Sequence, residues 1–127
     1  MKRTIILLAF LVGLECQSQT LERMDKQIGT VEIVQFKLKA GIDASTGKEK
    51  LLQLNQCVQH FDGFIERKLT VNEAGEWMDI VYWTSKQAAM NAAELVAKDP
   101  KALESFAVID ESTMVMNHFN LVETFQH

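Results

Sequence analysis

The apolar positions between residues 30 and 122 follow strand and helix periods in turn. Residues 30–39 are rich in β-branched and aromatic side chains, which predicts a first strand. Residues 48–61 carry apolar side chains at spacings of three and four, which predicts an amphipathic helix. Strands are also predicted over residues 64–71 and 76–84, joined as a hairpin by a short loop that ends in Gly75.

The second half of this pattern repeats a helix and a strand. Ser85 is a good N-cap for a helix over residues 85–98, in which alanine recurs. Asp99 and Pro100 then begin a short helical segment, since proline suits the first helical position. Residues 112–122 form the last predicted strand. The order β-α-β-β-α-β predicts an α+β fold of the ferredoxin-like class, with an antiparallel four-stranded sheet.

Strand alternation assigns side chains to two faces of this sheet. Pairing Val71 with Glu76 across the loop places Lys68 opposite Asp79, Glu66 opposite Val81, and Phe64 opposite Trp83. The face expected under the helices carries Val34, Phe36, Leu38, Ile65, Arg67, Leu69, Met78, Ile80, Tyr82, Val115, Phe119 and Leu121. The other face is expected to carry Ile33, Gln35, Phe64, Glu66, Lys68, Trp77, Asp79, Val81, Trp83, Met114, Met116 and His118.

The second of these faces mixes aromatic, apolar and charged side chains. Because two helices cover only one face of such a sheet, something else must cover the other. A second copy of the chain is the predicted cover, which makes a two-fold homodimer with a partly polar space between its sheets. The alternative is that Lys68 and Asp79 form an ordinary ion pair and the face is an interface alone.

Length and composition fit one globular domain. The chain has 127 residues, of which 47% are hydrophobic and 24% charged. Its net charge is −4 and no basic face is evident, so nucleic acid is not an expected partner. Phosphate-binding loops, GxSxG, HExxH and paired CxxC motifs are absent from the sequence. We therefore expect no cofactor and no metal, since His60 and His127 have no convergent ligand partners in the predicted fold.

The first eighteen residues have the three parts of a secretory signal peptide. Lys2 and Arg3 precede an apolar run over residues 5–12, and a polar stretch with small residues follows. The run is too short to span a bilayer, so no membrane span is predicted. Cleavage before Gln19 would leave a tail over 19–29, the domain over 30–122 and a second tail over 123–127, exported to the periplasm or secreted.

Two cysteines bear on this export prediction. The alternative to cleavage before Gln19 is lipidation of Cys16, but Glu15 stands where a lipobox has a small residue. After cleavage Cys57 is the single remaining cysteine, which precludes an intrachain disulfide. We interpret Cys57 as a small core residue, because no histidine base can be placed beside it.

Two segments carry a resemblance to a known group of proteins. They are Asp62-Gly63-Phe64, before the second strand, and the segment from Trp77 to Ser85 that leads into the alanine-rich helix. With the element order, they make residues 30–122 resemble the antibiotic-biosynthesis-monooxygenase-like group of dimeric α+β barrels. The resemblance implies a homodimer that binds a small apolar or aromatic molecule. Members of the group include cofactor-independent oxygenases, haem-degrading enzymes and proteins without established activity.

The resemblance directs attention to the mixed face. His118 is the candidate catalytic base, and Asp79 an orienting or alternative base. The expected pocket residues are Phe64, Trp77, Trp83, Met116, Gln35 and Lys68. Haem degradation is not expected, because Gln35 stands where an asparagine would be wanted and His118 lies on a strand. Two functions stay open: a cofactor-independent monooxygenase with its ligand between the sheets, and a non-catalytic ligand-binding or structural dimer.

Overall fold

The computed structural model describes residues 27–127, which form a four-stranded antiparallel sheet and four helical segments. The strands are β1 (Thr30–Leu38), β2 (Phe64–Val71), β3 (Glu76–Trp83) and β4 (Ile109–Asn120). The helices are α1 (Ala44–Gln53), α2 (Asn55–Val58), α3 (Lys86–Val96) and α4 (Pro100–Phe106). The sheet order is β2-β3-β1-β4, and neighbouring strands run antiparallel. The predicted ferredoxin-like β-α-β-β-α-β fold is therefore confirmed.

The predicted signal peptide, Cys16 and most of the predicted 19–29 tail lie outside the described residues. Within residues 27–127, no helix is both long enough and apolar enough to cross a membrane.

Capping residues set the helix starts. Ser85 accepts a hydrogen bond from the backbone of Ala88, and Asp99 caps α4, as predicted. The first helix begins earlier than predicted, because the Asp43 carboxylate accepts a 2.7 Å bond from the backbone of Thr46. The segment 41–47 was expected to be a loop, yet Gly47 lies in the first turn of α1. A Cβ there would come within 2.3 Å of Leu38, so glycine lets the helix lie directly on β1.

The β2–β3 hairpin has a shorter loop than predicted. The Asn72 amide donates to the Glu76 carbonyl at 3.0 Å, and Gly75 has φ +79°, which leaves a loop of three residues. Val71 consequently pairs with Trp77, one residue from the predicted partner. The predicted pairs Lys68 with Asp79 and Glu66 with Val81 are wrong. Phe64 does pair with Trp83, because the register shifts again between Phe64 and Glu66.

This slip corrects the assignment of the two sheet faces, since a shift of one residue moves every side chain to the other face. The predicted faces of β3 were wrong for this reason. Those of β4, which pairs with β1 alone, were wrong independently of the hairpin, since Met114 and Met116 lie on the helix side. Trp77, Asp79, Val81 and Trp83 are buried under the helices. Met78, Ile80 and Tyr82 lie on the opposite face, where the register places Val115 and Phe119 of β4. The assignment of Val34, Phe36 and Leu38 to the helix side of β1 is correct.

The helix side of the sheet holds the hydrophobic core. At one end Phe36 stacks on Trp77, with ring centroids 6.4 Å apart, among Leu51, Val108 and Ile109. At the other end Val81 and Trp83 pack against Ala89 and Ala92 of α3, whose small side chains let the helix approach closely. A third cluster joins Leu54 and Val58 to Ala102 of α4. Together these clusters fix the helices to one face of the sheet.

The other face of the sheet is not covered by the described helices, and we call it the open sheet face. Its members are Val31, Ile33, Gln35, Glu66, Lys68, Thr70, Met78, Ile80, Tyr82, Val115, Asn117 and Phe119. Val115 and Phe119 are 52% and 51% exposed. The Lys68 ammonium lies 5.5 Å from the centre of the Tyr82 ring. A face with this many apolar side chains is typical of an interaction surface.

Candidate functional site: a cavity between the sheet and the helices

A cavity of about 290 Å³ lies between the helix side of the sheet and the helices. The helices supply only apolar lining residues, among them Leu54, Val58, Ala89, Ala92 and Phe106. The sheet supplies the charged and polar ones: Glu32 from β1, Arg67 from β2, Asp79 and Trp83 from β3, and Glu111 from β4. The cavity is thus an apolar space with its polar groups concentrated on one wall.

Arg67 and Asp79 form a buried ion pair on that wall. Their side chains are 4% and 9% exposed. Arg67 Nε donates to both Asp79 carboxylate oxygens, at 2.9 and 3.0 Å, and Nη2 donates to Oδ2 at 2.6 Å. Arg67 Nη1 donates to the Leu51 carbonyl at 2.9 Å and to Asn55 Oδ1 at 2.7 Å. Because each charge is paired and hydrogen-bonded, this pair holds β2, β3 and the end of α1 together.

Glu32 and His118 form a second pair across neighbouring strands. They are register partners of β1 and β4, and His118 Nε2 lies 2.7 Å from Glu32 Oε2. Glu32 lines the cavity, whereas His118, next to it on the same side of the sheet, does not. Burial raises the pKa of Glu32 above its ordinary value, the His118 contact opposes that rise, and the nearby Asp79 charge adds to it.

Trp83 supplies an unpartnered donor next to these pairs. The residue is 2% exposed, and its indole Nε1 is buried without a hydrogen-bond partner among the described residues. The Glu32 carboxylate is the acceptor that faces the indole, and this contact is the smallest of the causes that lower the pKa of Glu32, but the two groups do not meet hydrogen-bond geometry. The ring is held in place by Phe64, edge to face at 5.8 Å. A buried N–H without an acceptor is costly, so this donor is suited to an oxygen atom of a bound molecule.

The structure brings together some of the residues predicted from sequence and separates others. Trp83 and Met116 line the cavity, Phe64 packs on Trp83, and His118 contacts Glu32, which also lines the cavity. Asp79 also lines it, but its carboxylate is engaged by Arg67, which limits its use as a base.

Three of the predicted pocket residues lie elsewhere. Gln35 and Lys68 are exposed on the open sheet face, so they do not reach the cavity that contains Trp83. Trp77 is buried on the helix side but stacks on Phe36 at the other end of the core. The sequence-based pocket therefore mixed residues from both faces. The hairpin register, one residue out, misplaced the β3 residues relative to Lys68, and the alternation of β4 was separately assigned to the wrong faces.

Sequence reasoning missed Glu32 and Arg67. Glu32 alternates with Thr30, Val34 and Phe36 on the inward side of a strand, and an acidic residue in such a row is unusual. That position was a usable signal. Arg67 was placed under the helices, but the predicted register gave Asp79 a different partner.

Other candidate groups contribute little. Among residues 27–127, no group of three or more His, Cys, Asp or Glu side chains is placed to hold a metal ion. Cys57 is part-buried, and its thiol donates to the Asp99 carboxylate at 3.3 Å. Burial, followed by this contact, raises the pKa of the thiol, which disfavours the nucleophilic thiolate.

The sheet order, the helices on one face and the cavity between them define the class. This is the α+β fold of ferredoxin-like proteins and of the antibiotic-biosynthesis monooxygenases, so the resemblance seen in the sequence is confirmed at the level of the fold. No protein-family model matches the sequence, and no curated protein matches it significantly.

Particular solved structures show how far the likeness extends. SnoaB, a cofactor-independent oxygenase from Streptomyces nogalater, aligns with a TM-score of 0.65 at 14% identity, over 80% of this chain and 100% of its own. A dimeric ferredoxin-like protein from an uncultured marine organism gives 0.60 at 12% identity, over 80% and 95%. The ActVA-Orf6 monooxygenase of Streptomyces coelicolor, in complex with nanaomycin D, gives 0.55 at 17%, over 84% and 98%. At identities this low, the structural alignments show a shared fold alone.

Proposed function

We propose that the protein binds a small apolar or aromatic molecule, bearing at least one oxygen atom, in the cavity between its sheet and its helices. The observation that carries this proposal is the unpartnered indole N–H of Trp83 on the wall of a cavity of about 290 Å³. Ligand sites are mostly apolar, with a few polar groups that fix orientation. This volume is at the small end of the range, which favours a molecule of one or two rings.

The polar wall determines how such a ligand would lie. Arg67 and Asp79 satisfy each other, so they present little net charge to the cavity. Trp83 offers a donor, and Glu32 a carboxyl group, close together at one end. The oxygen atom of the ligand would therefore point toward β1 and β3, and its apolar body toward α3.

The donor role of Trp83 can be tested with two probes of similar shape, naphthalene and 1-methoxynaphthalene. We expect wild-type protein to bind the methoxy compound more tightly, because its oxygen accepts from the indole. Trp83→Phe should lower that affinity by a few-fold to about tenfold, the worth of one hydrogen bond, and leave naphthalene binding nearly unchanged. Isothermal titration calorimetry measures both affinities.

Trp77→Phe is the matched control, since Trp77 lies in the other core cluster and does not line this cavity. It should leave the preference for 1-methoxynaphthalene intact. Failure of both probes to bind wild-type protein would contradict the proposed cavity function. An equal loss of both affinities in Trp83→Phe would contradict the donor role.

We extend the proposal to cofactor-independent oxygenation as the chemistry of this cavity. Two observations support this extension. The Glu32 carboxyl group lies beside an apolar cavity that restricts the access of water, and the fold is shared with the oxygenase SnoaB. With 1,4-naphthohydroquinone as probe, one atom of dioxygen enters the ring to give hydroxynaphthoquinone and the other leaves in water. The hydroquinone supplies all the electrons.

Oxygen uptake together with mass spectrometry of the product tests this chemistry. We expect wild-type protein to form hydroxynaphthoquinone faster than the Glu32→Gln control does. Binding without oxygen uptake would instead favour the non-catalytic ligand-binding dimer.

The proposal also includes export and self-association. Export rests on the signal-like residues 1–18, and the mature chain recovered from outside the cytoplasm is expected to begin at Gln19. A chain beginning at Cys16 with an added lipid mass would favour the lipoprotein alternative. Self-association is proposed through the open sheet face, whose apolar members require a cover.

A further inference from the structure

The carboxyl group of Glu32 is placed where a bound molecule would meet it. It lines the cavity on the same wall as Trp83, while its partner His118, beside it on β4, does not line the cavity. We propose that Glu32 is the proton acceptor for a hydroxyl group of the ligand, and that His118 positions the Glu32 carboxylate. This inference rests on the proposed function of the cavity.

The geometry separates the two roles. His118 Nε2 lies 2.7 Å from Glu32 Oε2 on the same side of the sheet, so the neighbouring strand holds one carboxylate oxygen and leaves the other without a hydrogen bond from the described residues. His118 is held in turn by its strand, since β1 and β4 pair at this point. A carboxylate held in one orientation by a second group is well placed to accept a proton from a ligand within hydrogen-bond reach.

The charges around Glu32 favour proton exchange. Asp79 on β3 repels the ionised carboxylate, Arg67 on β2 is occupied by Asp79, and His118 on β4 is the partner that opposes this repulsion. Glu111 also lines the cavity, but near the Leu38 end of β1, away from Glu32. The helices contribute no charged side chain to the cavity. Burial is the largest cause of the raised pKa of Glu32, which makes its carboxylate a stronger base than an exposed one.

The step is simple in its balance. The O–H bond of the ligand breaks, its proton passes to the Glu32 carboxylate, and the electron pair stays on the ligand oxygen. The product is a protonated Glu32 and a ligand oxyanion, to which Trp83 Nε1 can donate. The net charge of the cavity does not change. The same two groups would therefore bind a neutral hydroxyl compound and stabilise its anion.

The test adds 1-naphthol to the two probes used above, because it differs from 1-methoxynaphthalene by carrying an O–H. Affinities are measured across the acid to neutral range, where the probes remain uncharged in solution. We expect 1-naphthol to bind about tenfold more tightly once Glu32 is ionised than at low pH, as for a hydrogen bond to a charged acceptor. The affinity for 1-methoxynaphthalene should not follow this profile.

Variants assign the profile to residues. Glu32→Gln should abolish the rise for 1-naphthol while leaving naphthalene binding intact, which also shows that the variant is folded. His118→Ala should move the midpoint of the rise to higher pH without changing the plateau, because the His118 contact lowers the pKa of Glu32. His118→Gln, which can still donate to the carboxylate, should return the midpoint toward that of wild type.

The outcomes distinguish this inference from the proposed function. If naphthalene and 1-methoxynaphthalene bind but 1-naphthol shows no pH-dependent gain, or keeps it in Glu32→Gln, Glu32 is not the acceptor and the cavity function stands. If no probe binds wild-type protein, the cavity function itself fails. Loss of affinity for every probe at every pH in His118→Ala would show a purely structural role for His118.

Discussion

The Arg67 guanidinium joins β2, β3 and the end of α1. Its contribution to stability depends on the Asp79 carboxylate that pairs with it. Removing one partner of a buried ion pair leaves the other charge without compensation. Replacing both partners with apolar residues of similar size costs much less, since neither charge then has to be desolvated. This difference gives a prediction at the scale of single residues.

Arg67→Met should lower the free energy of unfolding by about 3–5 kcal/mol, the usual cost of breaking a buried pair from one side. The double variant Arg67→Met with Asp79→Leu should be more stable than the single one. Urea unfolding measures all three proteins. Lys48→Met, at an exposed cation on α1 away from both the pair and the open sheet face, is the control and should change stability by no more than about 0.5 kcal/mol. A double variant no better than Arg67→Met would argue against ionic pairing as the cause.

Glu32 predicts a pH dependence of stability with a definite sign. Its pKa is raised in the folded state, mainly by burial, so the folded protein holds this proton more tightly than the unfolded chain does. The resulting stabilisation is present at low pH and is lost as pH rises through the raised pKa. Glu32→Gln should remove this part of the pH dependence. Its free energy of unfolding should therefore increase relative to that of wild type as pH rises toward neutral. Urea unfolding at several pH values tests it, and a parallel decline in both proteins would contradict it.

At the scale of elements, the β2–β3 hairpin depends on one backbone conformation. Gly75 has φ +79°, in the region where a side chain is strained, and nothing lies within 4 Å of a Cβ there. Gly75→Ala should therefore destabilise the protein through backbone strain alone, by about 1–2 kcal/mol. Gly75→Asn should cost less, because asparagine tolerates this region. Equal losses in thermal unfolding for the two variants would point to a different cause.

The sequence predicted the elements well because their signals are local. Ser85, Asp99 and Pro100 mark helix starts by hydrogen bonds and ring geometry that involve adjacent residues only. The four strands were found within a few residues of their ends. The first helix was begun too late because Gly47 and the polar residues before it resemble a loop, whereas contact with Leu38 makes glycine necessary there.

The hydrophobic pattern of β3 does not show which of its two faces lies under the helices. Both of its alternating sets are largely apolar: Trp77, Val81 and Trp83 on one side, Met78, Ile80 and Tyr82 on the other. Burial preference could not choose between them, so the choice rested on the hairpin register. A loop of four residues was expected where the structure has three, and this error put Asp79 and Trp83 of β3 on the same face as Lys68.

At the scale of the whole molecule, the open sheet face predicts a dimer. Ile80 lies on this face, on an inner strand of the sheet. Ile80→Glu should place a charge in the middle of the buried interface and halve the mass in solution. Light scattering coupled to size-exclusion chromatography measures that mass.

Leu95→Glu is the control for this prediction. Leu95 is 53% exposed on α3 and does not line the cavity, so the same change there should leave the mass unaltered. A wild-type protein that already elutes as a monomer, or an Ile80→Glu variant with unchanged mass, would exclude the open sheet face as the contact.

The alternation along β1 gives adjacent residues different duties. Glu32 points toward the cavity, while its neighbours Val31 and Ile33 point toward the opposite face. Because adjacent strand residues project to opposite faces, a substitution that alters ligand binding can lie one peptide bond away from a substitution that alters the dimer contact. Ligand binding and dimerisation could therefore evolve separately in proteins with this sheet, because they depend on alternate positions of the same strand.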